Sequence, residues 1–119
     1  MDVTKKATLT AACHCKAVRL TFPSPEKPLT ECLCSICRRY GALWVSFQPE
    51  EVQVGGGPTE FYIWGDKDLQ FHRCKECGCV THWEPADKEQ HKIISVNCRM
   101  LEREDLEKFP IKKSDGPKK

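Results

Sequence analysis

The sequence predicts a small all-β domain with one short C-terminal helix and a core too thin to stand without help. Short segments with apolar residues at every second position recur along the chain, separated by Gly- and Pro-containing turns. Apolar residues fill 39% of the 119 positions, below the roughly 45–50% ordinary in globular domains. Nine cysteines, most of them in close-set clusters, offer a cross-link of another kind.

Taken in order, residues 7–22 form two strands around a turn, with Val18, Leu20 and Phe22 alternating with Arg19 and Thr21. Pro23, Pro25 and Pro28 then break the chain into an exposed loop. A strand over 29–33 enters a cysteine knuckle, residues 35–40 allow one helical turn, and a strand over 43–48 leaves it. The turn Gly55-Gly56-Gly57-Pro58 separates strands at 52–54 and 60–64, and Gly65-Asp66 turns the chain again before a strand at 69–73. Strands at 79–84 and 92–96 follow, and only 102–109 has helical character. Trp44, Phe47, Tyr62, Trp64 and Phe71 fall at strand periodicity and are expected in the core, ahead of a role as a substrate platform.

Charge argues against a nucleic-acid face. Of the formal net +2, a local +4 sits in residues 108–119, where five lysines meet one aspartate, leaving −2 for residues 1–107. Residues 1–107 are therefore expected to be a single domain, and 108–119 a disordered lysine-rich tail. A nucleic-acid surface needs its cations on the fold itself. No apolar stretch approaches the roughly 18 residues of a membrane helix. The opening MDVTKKATLT lacks the apolar core of a secretory signal. The expected compartment is the reducing cytoplasm, where clustered cysteines act as metal-binding thiolates.

The clusters are Cys13-x-Cys15, Cys32-x-Cys34-x2-Cys37 and Cys74-x2-Cys77-x-Cys79, with Cys98 alone. Two sulfurs from one turn can reach a single ion at ~2.3 Å. Sulfur donors select zinc over magnesium or calcium, and residue type alone also allows an iron–sulfur cluster. Cys13 and Cys15 can combine with Cys74 and Cys77 in a closed four-sulfur site. Cys32, Cys34 and Cys37 then remain as three ligands, open to substrate unless Cys79, Cys98 or a histidine closes the shell. Spacing alone does not choose between open and closed, and Cys79 and Cys98 also suit a role as small buried residues.

The order Cys13-His-Cys15-x-Ala-Val18, Cys32-Leu-Cys34-Ser-Ile-Cys37-Arg38-Arg39-x-Gly41-Ala42 and Phe71-x-x-Cys74-x-x-Cys77-Gly78 resembles the glutathione-dependent formaldehyde-activating enzyme family, also called the GFA or CENP-V family, over about residues 8–100. The resemblance implies a zinc-stabilised β-tent fold of the Mss4-like type. It implies a structural zinc on Cys13, Cys15, Cys74 and Cys77 and a second zinc on Cys32, Cys34 and Cys37, a candidate for catalysis if its fourth position is open, two ions per chain. The activity it implies is that of a carbon–sulfur lyase joining glutathione and formaldehyde as S-hydroxymethylglutathione, or acting on a related small aldehyde adduct. The CENP-V branch implies an alternative, a non-catalytic zinc module for protein, chromatin or cytoskeletal partners. Departures from the family pattern are Lys16, where glycine is common, Cys79, where a small hydroxyl residue is common, and Asn97-Cys98-Arg99-Met100-Leu101 in place of a Gly-Thr-Leu-like stretch.

Zinc on three thiolates suits the capture of an incoming thiol, whose pKa falls on coordination. Arg38 or Arg39 could pair a glutathione carboxylate, or simply face solvent. His14, His72, His82 and His91 are the acid–base candidates, with a surface or supporting role the commoner one for each. No Ser-His-Asp set is evident, and Gly55–Gly57 lacks the Lys-Ser/Thr of a nucleotide loop.

Overall fold

The computed structural model describes residues 7–63 and 69–115, so Trp64 and the Gly65-Asp66 turn lie outside the described residues. Among the described residues ten strands form two sheets, confirming the all-β class. The smaller sheet has the order β1(Thr8–Ala12), β2(Val18–Pro23) and β5(Gln53–Gly56), all antiparallel. The larger runs β10(Ile111–Ser114), β3(Leu29–Cys32), β4(Trp44–Phe47), β9(Ile94–Asn97), β8(Val80–Pro85), β7(Leu69–Cys74) and β6(Thr59–Tyr62).

Alternation in β2 buries Val18, Leu20 and Phe22 and leaves Arg19 exposed, as the period-2 pattern requires. Leu20 and Phe22 meet Leu29, Leu43, Ile94 and Val96 in the main core, which therefore lies between the two sheets. All four residues of β9 are buried, because the strand is flanked by β4 and β8 and covered on both faces. Its last residue, Asn97, is polar and fully engaged. The Asn97 carbonyl accepts from the Leu43 and Arg99 amides at 3.1 Å each, and its amide donates to the Val80 carbonyl at 2.8 Å. One side chain thus ties β9 to the starts of β4 and β8, satisfying groups that would be costly to bury alone.

The expected tail is corrected by the fold. Residues 111–114 form β10 and pair in parallel with β3, from Ile111 opposite Leu29 to Ser114 opposite Cys32. The Leu29 amide donates to the Pro110 carbonyl and the Leu33 amide to the Ser114 carbonyl. Backbone pairing along the open edge of β3 outweighs the solvation of two lysines, and lysine suits an outermost strand. The C-terminal helix is also shorter than 102–109. It spans Arg103–Leu106 (α2), and bonds from the Lys108 and Phe109 amides to carbonyls three residues back tighten the chain into Pro110. The helical turn near residue 37 is α1(Cys37–Tyr40), ended by Gly41 at φ 67°.

Two backbone positions fix the N-terminal knuckle. At Gly56 (φ 96°) an added Cβ would fall 1.9 Å from the Ala17 carbonyl oxygen, so β5 can approach the knuckle only with glycine there. Lys16 has φ 71°, the one described non-glycine residue in the left-handed region. That conformation costs a side-chain-bearing residue about 1–2 kcal/mol. An exposed ion pair from Lys16 to Glu102, 3.2 Å long, returns only part of it. The substitution Lys16→Gly is therefore expected to stabilise the fold by about 0.5–1 kcal/mol, raising Tm by a few degrees in thermal unfolding. Glu102→Gln, which removes only the ion pair, should leave Tm nearly unchanged, and a fall in Tm for Lys16→Gly would contradict the strain.

Candidate functional site

The fold gathers the cysteines into two separate sets. Cys13 and Cys15 lie in the turn joining β1 to β2, Cys74 ends β7, and Cys77 lies in the turn before β8. All four Sγ atoms are within 4.8 Å of one another. Cys13 and Cys15 are 3.7 Å apart and Cys15 and Cys74 3.6 Å. The sulfur–sulfur edge of a tetrahedron with ~2.3 Å metal–sulfur bonds is about 3.8 Å, whereas a disulfide needs ~2.05 Å. The spacing fits a shared ion, and all nine cysteines are free.

Backbone amides turn toward this sulfur set. The Val18 amide donates to Cys13 Sγ, and the Glu76 and Cys77 amides to Cys74 Sγ, at 3.3–3.5 Å. Amides of Cys15 and Cys79 pull the Cys77 thiol down to about 5. Cys15 moves the other way: the Ala17 amide lowers it, but burial and hydrogen bonds with Cys74, Cys13 and Cys77 push it up to about 12. Four crowded thiols cannot all ionise unaided, and a divalent cation at their centre is what would let them. The register shift between His72 and Arg73 contributes here. It lets Phe71 and Cys74, three residues apart, both be buried on a strand whose alternation would otherwise oppose them.

The second set is Cys32 at the end of β3, Cys34 in the following loop and Cys37 opening α1, again with Sγ atoms within 4.8 Å of one another. The Cys37 amide donates to Cys34 Sγ at 3.4 Å, and the Trp44 indole Nε1–H to Cys37 Sγ at 3.3 Å. Burial opposes ionisation of Cys34, yet the Cys37 and Ile36 amides leave its pKa lowered; burial raises that of Cys32 and Cys37. Among the described residues no fourth Cys, His, Asp or Glu joins this group. Cys98 lies in the main core, its thiol pushed up to about 12 by burial, and Cys79 packs beside the first set with Cys77. Cys98 is a small buried residue, and Cys79 is half-buried.

A cavity of about 630 Å³ adjoins the second set, and Cys32, Cys34 and Cys37 line it. Trp44 and Phe71, expected in the core, are buried but also line this cavity, as do Phe47 and Trp83. Arg38 and Arg39 do not line it; Arg39 donates instead to the Ser35 carbonyl at 2.6 Å. Glu26 and Glu51 line the same cavity, and among the described residues the cations on its wall are Lys27 and Lys112, the latter placed there by β10. Their sequence signal was absent, since it depends on a parallel pairing that local pattern does not encode.

A third group, His72, His82 and Glu84, brings two of the candidate histidines together on β7 and β8. The imidazoles are stacked at 4.6 Å with planes only 4° apart. Lone pairs in parallel planes do not converge on one ion; His82 is buried and His72 half-buried, and burial lowers the pKa of both. His72 Nδ1 meets Thr59 Oγ1 at 3.0 Å and His82 Nδ1 meets Thr81 Oγ1 at 2.8 Å. His72 Nε2 lies 2.9 Å from Glu84 Oε2 but off the line a hydrogen bond needs. Burial, and secondarily the charge of a protonated His72, depress His82 to about 3. His14 and His91 are exposed.

A family model described as glutathione-dependent formaldehyde-activating enzyme matches residues 8–112. The crystal structure of a Rhodobacter sphaeroides protein is similar to the chain, with a TM-score of 0.69 and 25% identity over 87% of this chain and 100% of that one. No curated protein sequence matches.

The stacked histidines make stability pH-dependent. Unfolded His82 titrates near ~6.5 and folded His82 at about 3, so between those values the unfolded chain holds more protons. Stability should fall as pH drops through this window, by up to ~1.4 kcal/mol per pH unit. Urea unfolding of His82→Gln beside the parent at each pH should give the shallower slope for the variant, and equal slopes would contradict the buried neutral state.

Proposed function

The chain belongs to the glutathione-dependent formaldehyde-activating enzyme family, and on that footing we propose that it is a zinc-dependent enzyme of the carbon–sulfur lyase type. The proposed reaction joins glutathione to formaldehyde, or to a related small aldehyde, as the S-hydroxyalkyl adduct. The observation that carries this reading is the position of three convergent thiols on the wall of a ligand-sized cavity. A zinc module with a purely scaffolding role has no use for that opening.

Cys13, Cys15, Cys74 and Cys77 would hold a structural zinc, joining the first hairpin to the β7–β8 turn. Cys32, Cys34 and Cys37 would hold the second. Zinc there supplies the positive charge that favours a substrate thiolate at neutral pH. The chain's own groups do the rest. Trp44 holds Cys37 through its N–H···S bond, and the Cys37 amide steadies Cys34. Lys27 and Lys112 form no ion pair among the described residues and face the same cavity, where they would meet the carboxylates of glutathione. In the proposed step the thiol sulfur adds to the aldehyde carbon, the carbonyl π bond opens, and the proton lost by the thiol returns from solvent to the new hydroxyl. The proposed setting is the cytoplasm, in keeping with nine free thiols. Among the described residues no helix is long and apolar enough to cross a membrane.

Exchange NMR on glutathione and formaldehyde, with the uncatalysed rate subtracted, tests the reading. The parent chain should accelerate exchange, and Cys34→Ser should remove at least nine-tenths of the gain. Lys112→Ala should weaken apparent glutathione binding about fivefold, the loss of one charged hydrogen bond worth roughly 1 kcal/mol. Acceleration retained in Cys34→Ser would contradict a role for the second cysteine set.

A further inference from the structure

The cavity beside the second cysteine set is more apolar than a formaldehyde site needs. Cys32, Cys34 and Cys37 share one packing cluster with Trp44, Phe71, Trp83, Leu69 and Ile36, and all of these also line the cavity. Trp44 stands between the other two rings, 6.1 Å from Phe71 and 6.5 Å from Trp83 in an edge-on arrangement. Trp44 and Phe71 are buried, whereas Trp83, Leu69 and Ile36 are only half-buried and keep apolar surface toward the opening. Formaldehyde has no hydrocarbon group to lay on such a wall. Glutathione has almost none either, being a peptide of carboxylates, amides and one short thiol arm. Its carboxylates match Lys27 and Lys112, which are exposed. The aromatic wall is left without a complementary group in either partner.

We infer that the aldehyde component taken at this site carries an apolar substituent, aromatic or branched aliphatic, that packs against Trp83, Leu69 and the Trp44–Phe71 pair while the thiol is held at Cys32, Cys34 and Cys37. The inference rests on the thiol–aldehyde reading above and names its substrate class. The bond chemistry is unchanged: a C–S bond forms as the carbonyl π bond opens, with no net oxidation or reduction. Apolar burial next to the reacting carbon is the discriminating contact, since a ring or branched chain displaces water from a surface that formaldehyde leaves wet.

Stable thioethers report this without turnover. S-benzylglutathione and S-methylglutathione share every polar group and differ only in the hydrocarbon. Calorimetric titration of the full zinc-loaded chain should give S-benzylglutathione at least tenfold tighter binding. Trp83→Ala and, as a second and milder change, Leu69→Ala should each shrink that ratio severalfold while leaving S-methylglutathione affinity within about twofold. Equal affinity for the two ligands, binding of neither, or a ratio unchanged in both variants would overturn the inference. A cobalt-substituted chain titrated with free glutathione separates the two layers. An unaltered visible spectrum there would count against thiol capture at the metal, while the benzyl-to-methyl ratio would still decide the nature of the wall.

Discussion

Crowded sulfur is the constraint on which this molecule depends. Seven cysteines are drawn into two groups whose Sγ atoms lie within 4.8 Å of one another, yet the thiols remain unbridged. Thiolates at that separation repel, and thiols at that separation waste their donors; a divalent cation resolves both problems at once. Two of the three packing clusters among the described residues are built around these sulfurs, Cys13 and Cys74 with Val18, and Cys34 and Cys37 with Trp44 and Phe71. The apolar core between the sheets is correspondingly modest. Metal bound at these groups would be folding free energy, as expected of a domain whose apolar content is low.

The two groups differ in what surrounds them. The first joins distant parts of the chain, a hairpin turn near residue 14 and a turn near residue 76, and is ringed by backbone amides. The second comes from one short segment, is steadied by an indole N–H, and adjoins the cavity. Three sulfurs from six consecutive residues leave one side of the group to whatever enters. The cavity's far wall depends on β10, so the C-terminal strand, by pairing with β3, contributes a cation to the same space as the thiols.

The strands and the cysteine groupings were legible in the sequence because both rest on local spacing. Alternation in residues 18–22 marks a half-buried strand, and Cys-x-Cys or Cys-x-x-Cys brings two sulfurs to one side whatever the rest of the chain does. Lys16 also carried a signal: it stands where glycine is common in the family the sequence resembles, and the structure gives it a left-handed backbone. Long-range pairing was not legible. β10 hid behind its lysines, since charge density says nothing of an open strand edge 82 residues upstream, the spacing from Leu29 to Ile111. The stacking of His72 on His82 arises from their being directly paired across β7 and β8, which no single-strand pattern reveals. Arg38 and Arg39 follow the motif in sequence, but the turn of α1 leaves them off the cavity wall, and Lys27 and Lys112 line it.

Zinc X-ray absorption on the chain as purified, with metal content measured on the same sample, tests the central claim most directly. The account predicts two ions per chain in an all-sulfur protein shell at about 2.3 Å, averaging between three and four cysteine sulfurs per ion and gaining sulfur when glutathione is added. A natively folded chain that carries no metal, or whose ions both show four cysteine sulfurs and ignore added thiol, would contradict it.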